Sequence, residues 1–525
     1  MFREDVANEV EYIDGILKPG AAMYRAMSSS YATELSQRLQ HISKIPLLIA
    51  ANLEKGCNGI ATQGTQMGSP MQIAATNDPR WATRLGEVCV QEGSAFGVNW
   101  AFAPLVDIDY NFRNPITNTR TFGSNPKRVA DMGEAYVRAL QAQGLAASVK
   151  HFPGDGSDER DQHLVSSINN LSCEDWMDSY GAIYRRTIRA GVKTVMVGHI
   201  MQPAWSKRLS PSLQDDELLP ASLSAELMNG LLRKELGFNG LIVTDATTMG
   251  GFCIAMPRRD AVPQAIAAGA DMFLFALDLK EEYQFMLDGY AHGVITPERL
   301  DEAVTRILAT KASLGLHRPP AARTPTSVVG CEQHRKWARE CAEQGITLVK
   351  EQPNVLPLDA KRTPRILFYP IQARGEGFSQ YQVNEGVCAE FANRLRKEGF
   401  EVTEFVPPQT TEGHSAPTTA VTERYDLIVY LANLSTKSNQ TVVRIEWAQP
   451  MGSNNILYHH DVPTIFISVE NPYHLLDVPR VRTYINTYAS NPETMDALVD
   501  KLMGRSAFCG SNPVDPFCGK WDTHL

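Results

Sequence analysis

Short apolar runs alternate with amphipathic helical patterns between Ala21 and Phe275, and this alternation limits the possible folds more than any other feature. It predicts parallel strands joined by crossover helices. Periodicity alone allows either a barrel or a doubly wound open sheet. The predicted strands are Ala21–Met27, Pro46–Ala51, Asn99–Val106, Leu145–Val149, Val192–Val197, Gly240–Thr244 and Ala270–Phe275. The predicted helices between them include Ser30–Ser43, Pro79–Phe96, Pro126–Gln143 and Asp175–Ala190.

A polar loop follows the fourth predicted strand. Lys150 and His151 stand where the apolar run ends, and the next residues contain the proline and glycines that break a strand. The loop then reaches Asp161-Gln162-His163. Polar side chains just beyond the carboxyl end of a parallel strand are typical of the active face of an α/β barrel.

This loop resembles the signature of family 3 glycoside hydrolases, in the branch of the β-N-acetylglucosaminidases. That signature reads K-H-[F/I]-P-G-[H/L]-G, four residues, then D-[S/T]-H. The chain departs from it twice, because Asp155 stands where the family has His or Leu and Gln162 where it has Ser or Thr. The resemblance implies a TIM-like barrel followed by an α/β/α sandwich. Since a full barrel needs one strand more than the seven found, we expect an irregular barrel.

Three segments are predicted from the chain's organisation. Residues 1–315 form the catalytic barrel, ending in the helical pattern Thr296–Gly315. Residues 316–330 form a semi-rigid, proline-rich linker. Residues 331–525 form the sandwich, with a helix near Glu332–Gln344 and strands near Thr347–Lys350, Arg365–Tyr369, Asp426–Leu431 and Pro463–Val469.

Asp245 is the predicted nucleophile. It ends the apolar run Gly240–Thr244, and a carboxylate there is costly to bury unless a function or an ion pair holds it. Glycoside hydrolysis usually needs a nucleophile or base and a proton donor on the two sides of the scissile bond. The resemblance implies that Asp245 attacks the anomeric carbon. The alternative is a helix N-cap, since a helix-like stretch follows.

His163 is the predicted acid/base, with Asp161 as the residue that orients it. An imidazole titrates near neutral pH and can give and take a proton, and a carboxylate on its other nitrogen fixes the tautomer. The resemblance implies that this Asp–His dyad replaces the usual carboxylic acid. Three other carboxylates of the loop could serve as a conventional acid instead: Asp155, Asp158 and Glu159.

Five further residues are predicted to bind substrate: Asn52, Arg120, Lys150, His151 and His199. Fixed cationic donors suit sugar hydroxyls and also hold nearby carboxylates ionised, although a structural ion pair is the alternative. Asn52 stands where the family has a sugar-binding aspartate, so the sugar preference stays open. His199 ends the fifth predicted strand and either lines the pocket or caps the sheet.

Composition limits the classes of partner and the cellular compartment that are expected for this chain. A net charge of −9 disfavours nucleic acid and anionic membranes, and no apolar segment is long enough to span a bilayer. The acidic start, Met1–Asp5, lacks the apolar region of a signal peptide. Nine scattered cysteines without a C-x-x-C pair favour reduced thiols in the cytoplasm. No metal or organic cofactor is predicted, since no H-E-x-x-H, Cys/His cluster or strand-linked G-x-G-x-x-G occurs.

The resemblance, taken together with this composition, implies a cytoplasmic, retaining exo-β-N-acetylglucosaminidase whose partner is a small glycoside, from chitin fragments or muropeptides. Three alternatives stay open. A β-glucosidase of the same family would not need Asp161 and His163. A phosphorylase would use phosphate in place of water. A non-catalytic sugar-binding or scaffold protein would have lost its site. The sequence does not predict the oligomeric state.

Overall fold

The computed structural model describes residues 17–318, 324–372, 386–408, 417–434, 438–439, 441 and 444–525. Contacts divide the chain into two units: Met1–Gln66, Ala82–Thr117 and Pro126–His334 in the first, and Met67–Trp81, Asn118–Asn125 and Arg335–Leu525 in the second. The domain boundaries at residues 315 and 331 stay a prediction. Residues 319–323 of the predicted linker lie outside the described ranges. The segment Met1–Asp5, which was interpreted as lacking a signal peptide, also lies outside them.

The first unit is built on parallel strands. These are β1 (Ala21–Tyr24), β2 (Leu48–Ala51), β3 (Trp100–Ala101), β4 (Ala146–Phe152), β5 (Ser167–Ile168), β6 (Thr194–Val197), β7 (Ile200–Met201), β8 (Leu241–Ala246) and β9 (Met272–Leu274). Seven of them form one sheet in the order β1-β2-β3-β4-β6-β8-β9, and β5 pairs with β7. Each strand predicted from the sequence overlaps one of these seven. The sheet is a TIM-like half-barrel, which confirms the prediction of an irregular barrel.

Helices alternate with these strands along the chain, and some of them bury one face. In Pro126–Ala142, the buried residues Val129, Met132, Tyr136 and Leu140 recur at helical spacing. The helices are Ser29–Ile42, Arg80–Ala95, Pro126–Ala142, Cys173–Trp176, Ala182–Arg189, Pro203–Leu209, Gly250–Cys253, Arg258–Ala267, Leu279–Ala291 and Pro297–Ser313. Two π-helical segments, Met177–Gly181 and Glu226–Glu235, interrupt this pattern. The remaining short helices are 3₁₀ turns: Cys57–Gly59, Asp215–Glu217, Ala221–Leu223 and Thr326–Val328.

The central strands set the position of the polar residues. All seven residues of β4 are buried, as expected of a parallel strand that is covered on both faces. An apolar cluster joins β2, β3, β4, β6 and β8, and the Trp100 indole donates to Thr194 Oγ1 at 2.8 Å within it. Because β4, β6 and β8 are neighbours and parallel, their carboxyl ends lie side by side.

The second unit contains a separate, mixed sheet. Its strands are β10 (Thr347–Lys350), β11 (Arg365–Gln372), β12 (Glu401–Glu404), β13 (Leu427–Asn433), β14 (Thr464–Ser468) and β15 (Thr483–Asn486), in the order β10-β15-β14-β13-β11-β12. Only β10 is antiparallel to its neighbour among these strands. The strands predicted from the sequence did not include β12 and β15. Helices are Pro70–Ala75, Glu332–Gly345, Val387–Lys397, Thr419–Thr422 and Pro492–Leu502, with 3₁₀ turns Asn118–Arg120, His474–Leu476 and Trp521–His524.

Successive residues of these strands enter two different apolar clusters. Phe368 and Val429 belong to one, and their sequence neighbours Tyr369 and Tyr430 belong to the other. Since side chains alternate across a strand, the two clusters cover the two faces of the sheet. This confirms the predicted α/β class for the second part of the chain.

Candidate active site

Asp245 lies near the carboxyl end of β8 and is the predicted nucleophile. Its Oδ1 accepts from the Ala246 amide at 2.7 Å, and its Oδ2 lies 3.6 Å from His151 Nε2. Burial raises the pKa of Asp245, but attraction to the surrounding basic side chains, with His151 contributing most, outweighs burial and lowers the pKa to about 2. Asp245 is not an N-cap, because the next helix begins at Gly250 and is preceded by Met249.

His151 joins Asp245 to a second carboxylate. Its Nδ1 lies 2.8 Å from Asp107 Oδ2, and its backbone amide donates to Asp107 Oδ1 at 2.9 Å. Asp107 is completely buried. The sequence interpretation missed Asp107, although it directly follows the predicted strand Asn99–Val106. The strand-end criterion that identified Asp245 would therefore have found it.

Lys150 is held by two residues that follow β2. Its Nζ lies 2.7 Å from Glu54 Oε1 and donates to Asn52 Oδ1 at 3.4 Å. Lys150 is buried, whereas Asn52 is exposed. The structure therefore brings together Lys150 and Asn52, two of the residues predicted to bind sugar. Glu54 was missed by the sequence interpretation, although it lies only two residues after Asn52.

Asp161 and His163 form the expected contact. His163 Nδ1 lies 2.7 Å from Asp161 Oδ1, and the His163 amide donates to the same oxygen at 2.8 Å. The Asp161 side chain is fully buried, while that of His163 is 19% exposed. Because Nδ1 is engaged, Nε2 is the ring atom available for proton transfer.

The loop that carries this dyad is fastened to the segment after β8. The Gly250 amide donates to His163 O at 2.7 Å, and the Gly251 amide donates to Gln162 O at 3.1 Å. A Cβ atom on Gly250 would lie 2.2 Å from Leu164 O, so only glycine permits this close approach. These contacts tie His163 to the same strand end as Asp245.

The two departures from the family signature contact each other. Gln162 Nε2 donates to Asp155 Oδ2 at 3.0 Å, and Gln162 Oε1 accepts from the His199 amide at 2.8 Å. The other oxygen of Asp155 accepts from Asn114 Nδ2 at 3.0 Å and from the Gly156 amide at 2.7 Å. Burial, followed by repulsion from Asp107, raises the pKa of Asp155 to about 6.

His199 is buried just past β6, and both of its ring nitrogens have protein partners. Nδ1 lies 2.8 Å from Ser222 Oγ, and Nε2 lies 3.0 Å from Ala246 O. Burial lowers the pKa of His199 to about 4, so the ring is neutral at pH 7. A carbonyl can only accept, so Nε2 carries the proton and Nδ1 accepts from the Ser222 hydroxyl. Of the two roles predicted for His199, these contacts favour support of the strand ends over lining the pocket.

The other two loop carboxylates have partners of their own. Asp158 lies 2.8 Å from an Arg160 nitrogen and accepts from the Ile168 amide at 2.9 Å. The side chain of Glu159 is 60% exposed and lies 3.8 Å from Arg113. Both contacts leave Asp158 and Glu159 poorly placed to act as a buried proton donor.

Arg120 belongs to the second unit, where it ends the 3₁₀ turn Asn118–Arg120. Its predicted role in sugar binding stays a prediction. Over the described ranges, no group of three or more His, Cys, Asp or Glu residues could hold a metal ion. No helix within them is long and apolar enough to cross a membrane.

The sequence and the fold match characterised proteins. Residues 3–310 match the model of the glycosyl hydrolase family 3 N-terminal domain. The chain is 55% identical over 516 residues to a β-N-acetylglucosaminidase/β-glucosidase of Cellulomonas fimi, and the match covers 98% of this chain and 91% of the relative.

Two solved structures resemble the chain over nearly its whole length. The β-glucoside phosphorylase BglX superposes with a TM-score of 0.92 at 46% identity, covering 98% of this chain and 92% of that one. A family 3 β-N-acetylglucosaminidase from Paenibacillus sp. str. FPU-7 superposes with a TM-score of 0.82 at 25% identity, covering 98% and 96%.

Proposed function

The chain belongs to glycoside hydrolase family 3 and is a glycosidase of β-linked sugars, and from this premise we propose that it is a retaining exo-β-N-acetylglucosaminidase. It would release terminal N-acetylglucosamine from small chitin fragments or muropeptides. The observation that carries the proposal is the contact of 2.7 Å between His163 Nδ1 and Asp161 Oδ1, on a loop hydrogen-bonded to the segment after Asp245.

Asp245 would act as the nucleophile in the first step. One of its carboxylate oxygens attacks the anomeric carbon while the bond from that carbon to the leaving oxygen breaks, which gives a covalent glycosyl-enzyme. The lowered pKa of Asp245 supports this role, because the carboxylate is then ionised throughout the usual working range of pH.

His163 would serve both half-reactions. It protonates the leaving oxygen through Nε2 in the first step and takes a proton from the attacking water in the second. The two inversions at the anomeric carbon give a product of retained configuration. Asp161 would hold the ring in one tautomer and stabilise the imidazolium, which its buried carboxylate is placed to do.

Lys150, His151 and Asn52 would bind sugar hydroxyls. His151 is supported by its position beside Asp245, and both Lys150 and His151 are supported by the carboxylates that they contact. Asn52 offers an amide where a carboxylate is usual, so it can both donate and accept. A hydroxyl and an acetamido group can both use such a side chain, so this position does not exclude a glucoside.

Phosphorolysis is the second candidate function. In the second half-reaction, phosphate would replace water and give a glycosyl phosphate. A neutral imidazole at the acid/base position repels an anion less than a carboxylate does. The dyad at Asp161 and His163 therefore supports this candidate as well as hydrolysis, and one of the similar solved proteins is named a phosphorylase.

Release of p-nitrophenol tests these alternatives. The N-acetyl-β-glucosaminide and the β-glucoside are compared at equal concentration, each with and without inorganic phosphate, and the sugar products are identified. We expect the N-acetylglucosaminide to react faster and to give free sugar. A clear preference for the glucoside would contradict the proposed specificity, and accumulation of a sugar phosphate would establish the second candidate.

The cytoplasm is the proposed compartment. The nine cysteines are free thiols, of which Cys89 and Cys341 are buried and have strongly raised pKa values. Thiols of this kind suit a reducing environment. Fractionation of cells with an antibody against the protein would test the location.

A further inference from the structure

We propose that Gln162 and Asp155 form a positioning pair that holds the His163 loop in register with the strand ends carrying His151 and Asp245. The inference rests on the proposed function, because it assigns a role through His163 rather than through substrate contact. Both side chains are buried, with 0% of Gln162 and 1% of Asp155 exposed.

The hydrogen bonds fix the orientation of the Gln162 amide. The His199 amide is a donor and therefore faces Gln162 Oε1, whereas the Asp155 carboxylate is an acceptor and faces Nε2. A flipped amide would place donor against donor at His199. The Gln162 side chain can therefore satisfy both the His199 amide and the Asp155 carboxylate in only one orientation. A polar contact that meets this condition defines a unique geometry.

Asp155 also connects Gln162 to the part of the site that contains His151 and Asp245. Its backbone amide donates to Asp107 Oδ1 at 2.8 Å, and Asp107 Oδ2 contacts His151 Nδ1. His151 Nε2 in turn lies 3.6 Å from Asp245 Oδ2. A continuous chain of polar contacts therefore runs from the nucleophile candidate to the residue next to the acid/base candidate.

Gln162 is placed where a displacement acts directly on the dyad. It lies between Asp161 and His163 in sequence, and its carbonyl is also bonded to the Gly251 amide. Loss of the side-chain bonds would leave a buried amide without partners on one side of the loop, which is costly. The loop would then shift, and a misplacement of about 1 Å can cost about 10²-fold in rate.

The sequence departures support a matched pair. Both stand at positions where the family signature has other residues, and the two are bonded to each other. Leucine, one of the family's residues at position 155, could not repeat the arrangement, because it cannot accept a hydrogen bond. If the two residues act as a unit, the energetic effects of changing them should not be additive.

Three variants test this dependence: Asp155→Asn, Gln162→Glu, and both together. Asp155→Asn places an amide nitrogen, which is a donor, opposite the donor Gln162 Nε2. If the Gln162 amide flips to avoid this contact, its nitrogen faces the backbone amide of His199, which is also a donor. Gln162→Glu places two carboxylates face to face. The double variant exchanges the amide and the carboxylate. The amide nitrogen introduced at position 155 can then donate to the carboxylate introduced at position 162, while the amide oxygen still accepts from Asn114 and Gly156.

The measurement is kcat and KM on aryl N-acetyl-β-glucosaminides with a poor and a good leaving group. We expect each single change to lower kcat for the poor leaving group by about 10²-fold, with a smaller loss for the good one and little change in KM. The exchange should recover kcat to within about tenfold of the original chain. Equal losses on both leaving groups, or an exchange no better than the single changes, would overturn the proposal.

Two controls separate positioning from other failures. Gln202→Glu buries a comparable carboxylate, since Gln202 is fully buried and bonded to Leu171 O and the Trp205 amide. It should lower thermal stability without changing the ratio of rates on the two leaving groups. Failure of a 2-deoxy-2-fluoro or 5-fluoro glycoside to label Asp245 in the unchanged enzyme would contradict the proposed function itself. Recovery of the unfolding temperature without recovery of kcat would show that the pair only stabilises the fold and would overturn its positioning role.

Discussion

His151 Nε2 lies 3.6 Å from Asp245 Oδ2, and the other ring nitrogen of His151 contacts the buried carboxylate of Asp107 at 2.8 Å. The imidazole, which belongs to β4, is therefore held between Asp107 in the segment after β3 and Asp245 near the end of β8. This contact keeps the Asp245 charge in place, because attraction to His151 is the largest of the effects that lower its pKa. Rotation of Asp245 is limited further by the bond from the Ala246 amide.

Asp245→Asn should abolish turnover and leave the fold intact. The amide is nearly the same size and can still accept from Ala246, but it cannot attack the anomeric carbon. A 2-deoxy-2-fluoro or 5-fluoro glycoside should label the unchanged enzyme at Asp245, as shown by peptide mapping. Asp278→Asn is the matched control, since Asp278 is exposed and caps the helix Leu279–Ala291, and asparagine caps equally well. A label on another residue would refute the assignment.

His163→Ala should lower turnover by about 10²–10⁴-fold on substrates with basic leaving groups. The loss should be smaller for an activated phenol, which needs little protonation to leave. Added azide should restore the second step and give a glycosyl azide of retained configuration, because an anion attacks without a general base. If His163→Ala behaves like the unchanged enzyme while a change at Asp155, Asp158 or Glu159 shows this leaving-group dependence, the dyad is not the proton donor.

Asp161→Asn should cost less than His163→Ala. Both bonds from His163 go to Asp161 Oδ1, so an asparagine that keeps its oxygen there retains them. What is lost is the charge that stabilises the imidazolium. The two variants are compared on the same poor leaving group at one pH. A larger loss for Asp161→Asn would contradict a role of Asp161 that acts through His163.

The strands of the half-barrel were predictable because buried parallel strands can be recognised in the sequence as apolar runs. The strand β4 begins with Ala146 and Ala147, continues through Val149 and is buried throughout, so its neighbours in space did not need to be known. β12 was missed for the opposite reason. Its sequence, Glu401–Glu404, is polar at three of four residues, and it lies at the edge of its sheet, where burial does not impose an apolar pattern.

The site was predictable only where a side chain stands at a strand end or inside a long motif. Asp245 and His163 meet those conditions, and their roles stay predictions. The contact between Gln162 and Asp155 could not be inferred, because they stand seven positions apart in a loop and no periodicity relates their side chains. A departure from a motif shows that something differs, but only coordinates show that two departures contact each other.

The pH dependence of stability should reveal the charge on Asp245. Its folded-state pKa is lowered from 3.8 to about 2, so the ionised form stabilises the fold above about pH 4 and this contribution is lost as pH falls toward 2. The shift corresponds to about 2 kcal/mol, of which about half should be gone at about pH 3. Unfolding of the unchanged chain and of Asp245→Asn is compared between about pH 3 and 6. A difference in stability that stays constant with pH would contradict the lowered pKa.

Gly250→Ala should impair catalysis through the loop that carries the dyad. The added methyl group would lie 2.2 Å from Leu164 O, and that backbone oxygen cannot move without shifting the residues next to it. His163 is directly joined to Leu164 and accepts from the Gly250 amide, so the acid/base would move with the loop. We expect kcat to fall by about 10–10²-fold, more for a poor leaving group than for a good one.

Gly93→Ala provides the comparison for that change. Gly93 lies in the helix Arg80–Ala95, and a Cβ there would meet its nearest neighbour, a Leu53 side-chain atom, at an ordinary 3.6 Å. Alanine favours a helix over glycine by about 1 kcal/mol, so this variant should be as active as the unchanged chain and at least as stable. The measurement is kcat on both leaving groups together with the thermal unfolding temperature. Full activity in Gly250→Ala would mean that the close contact with the loop does not determine where His163 stands.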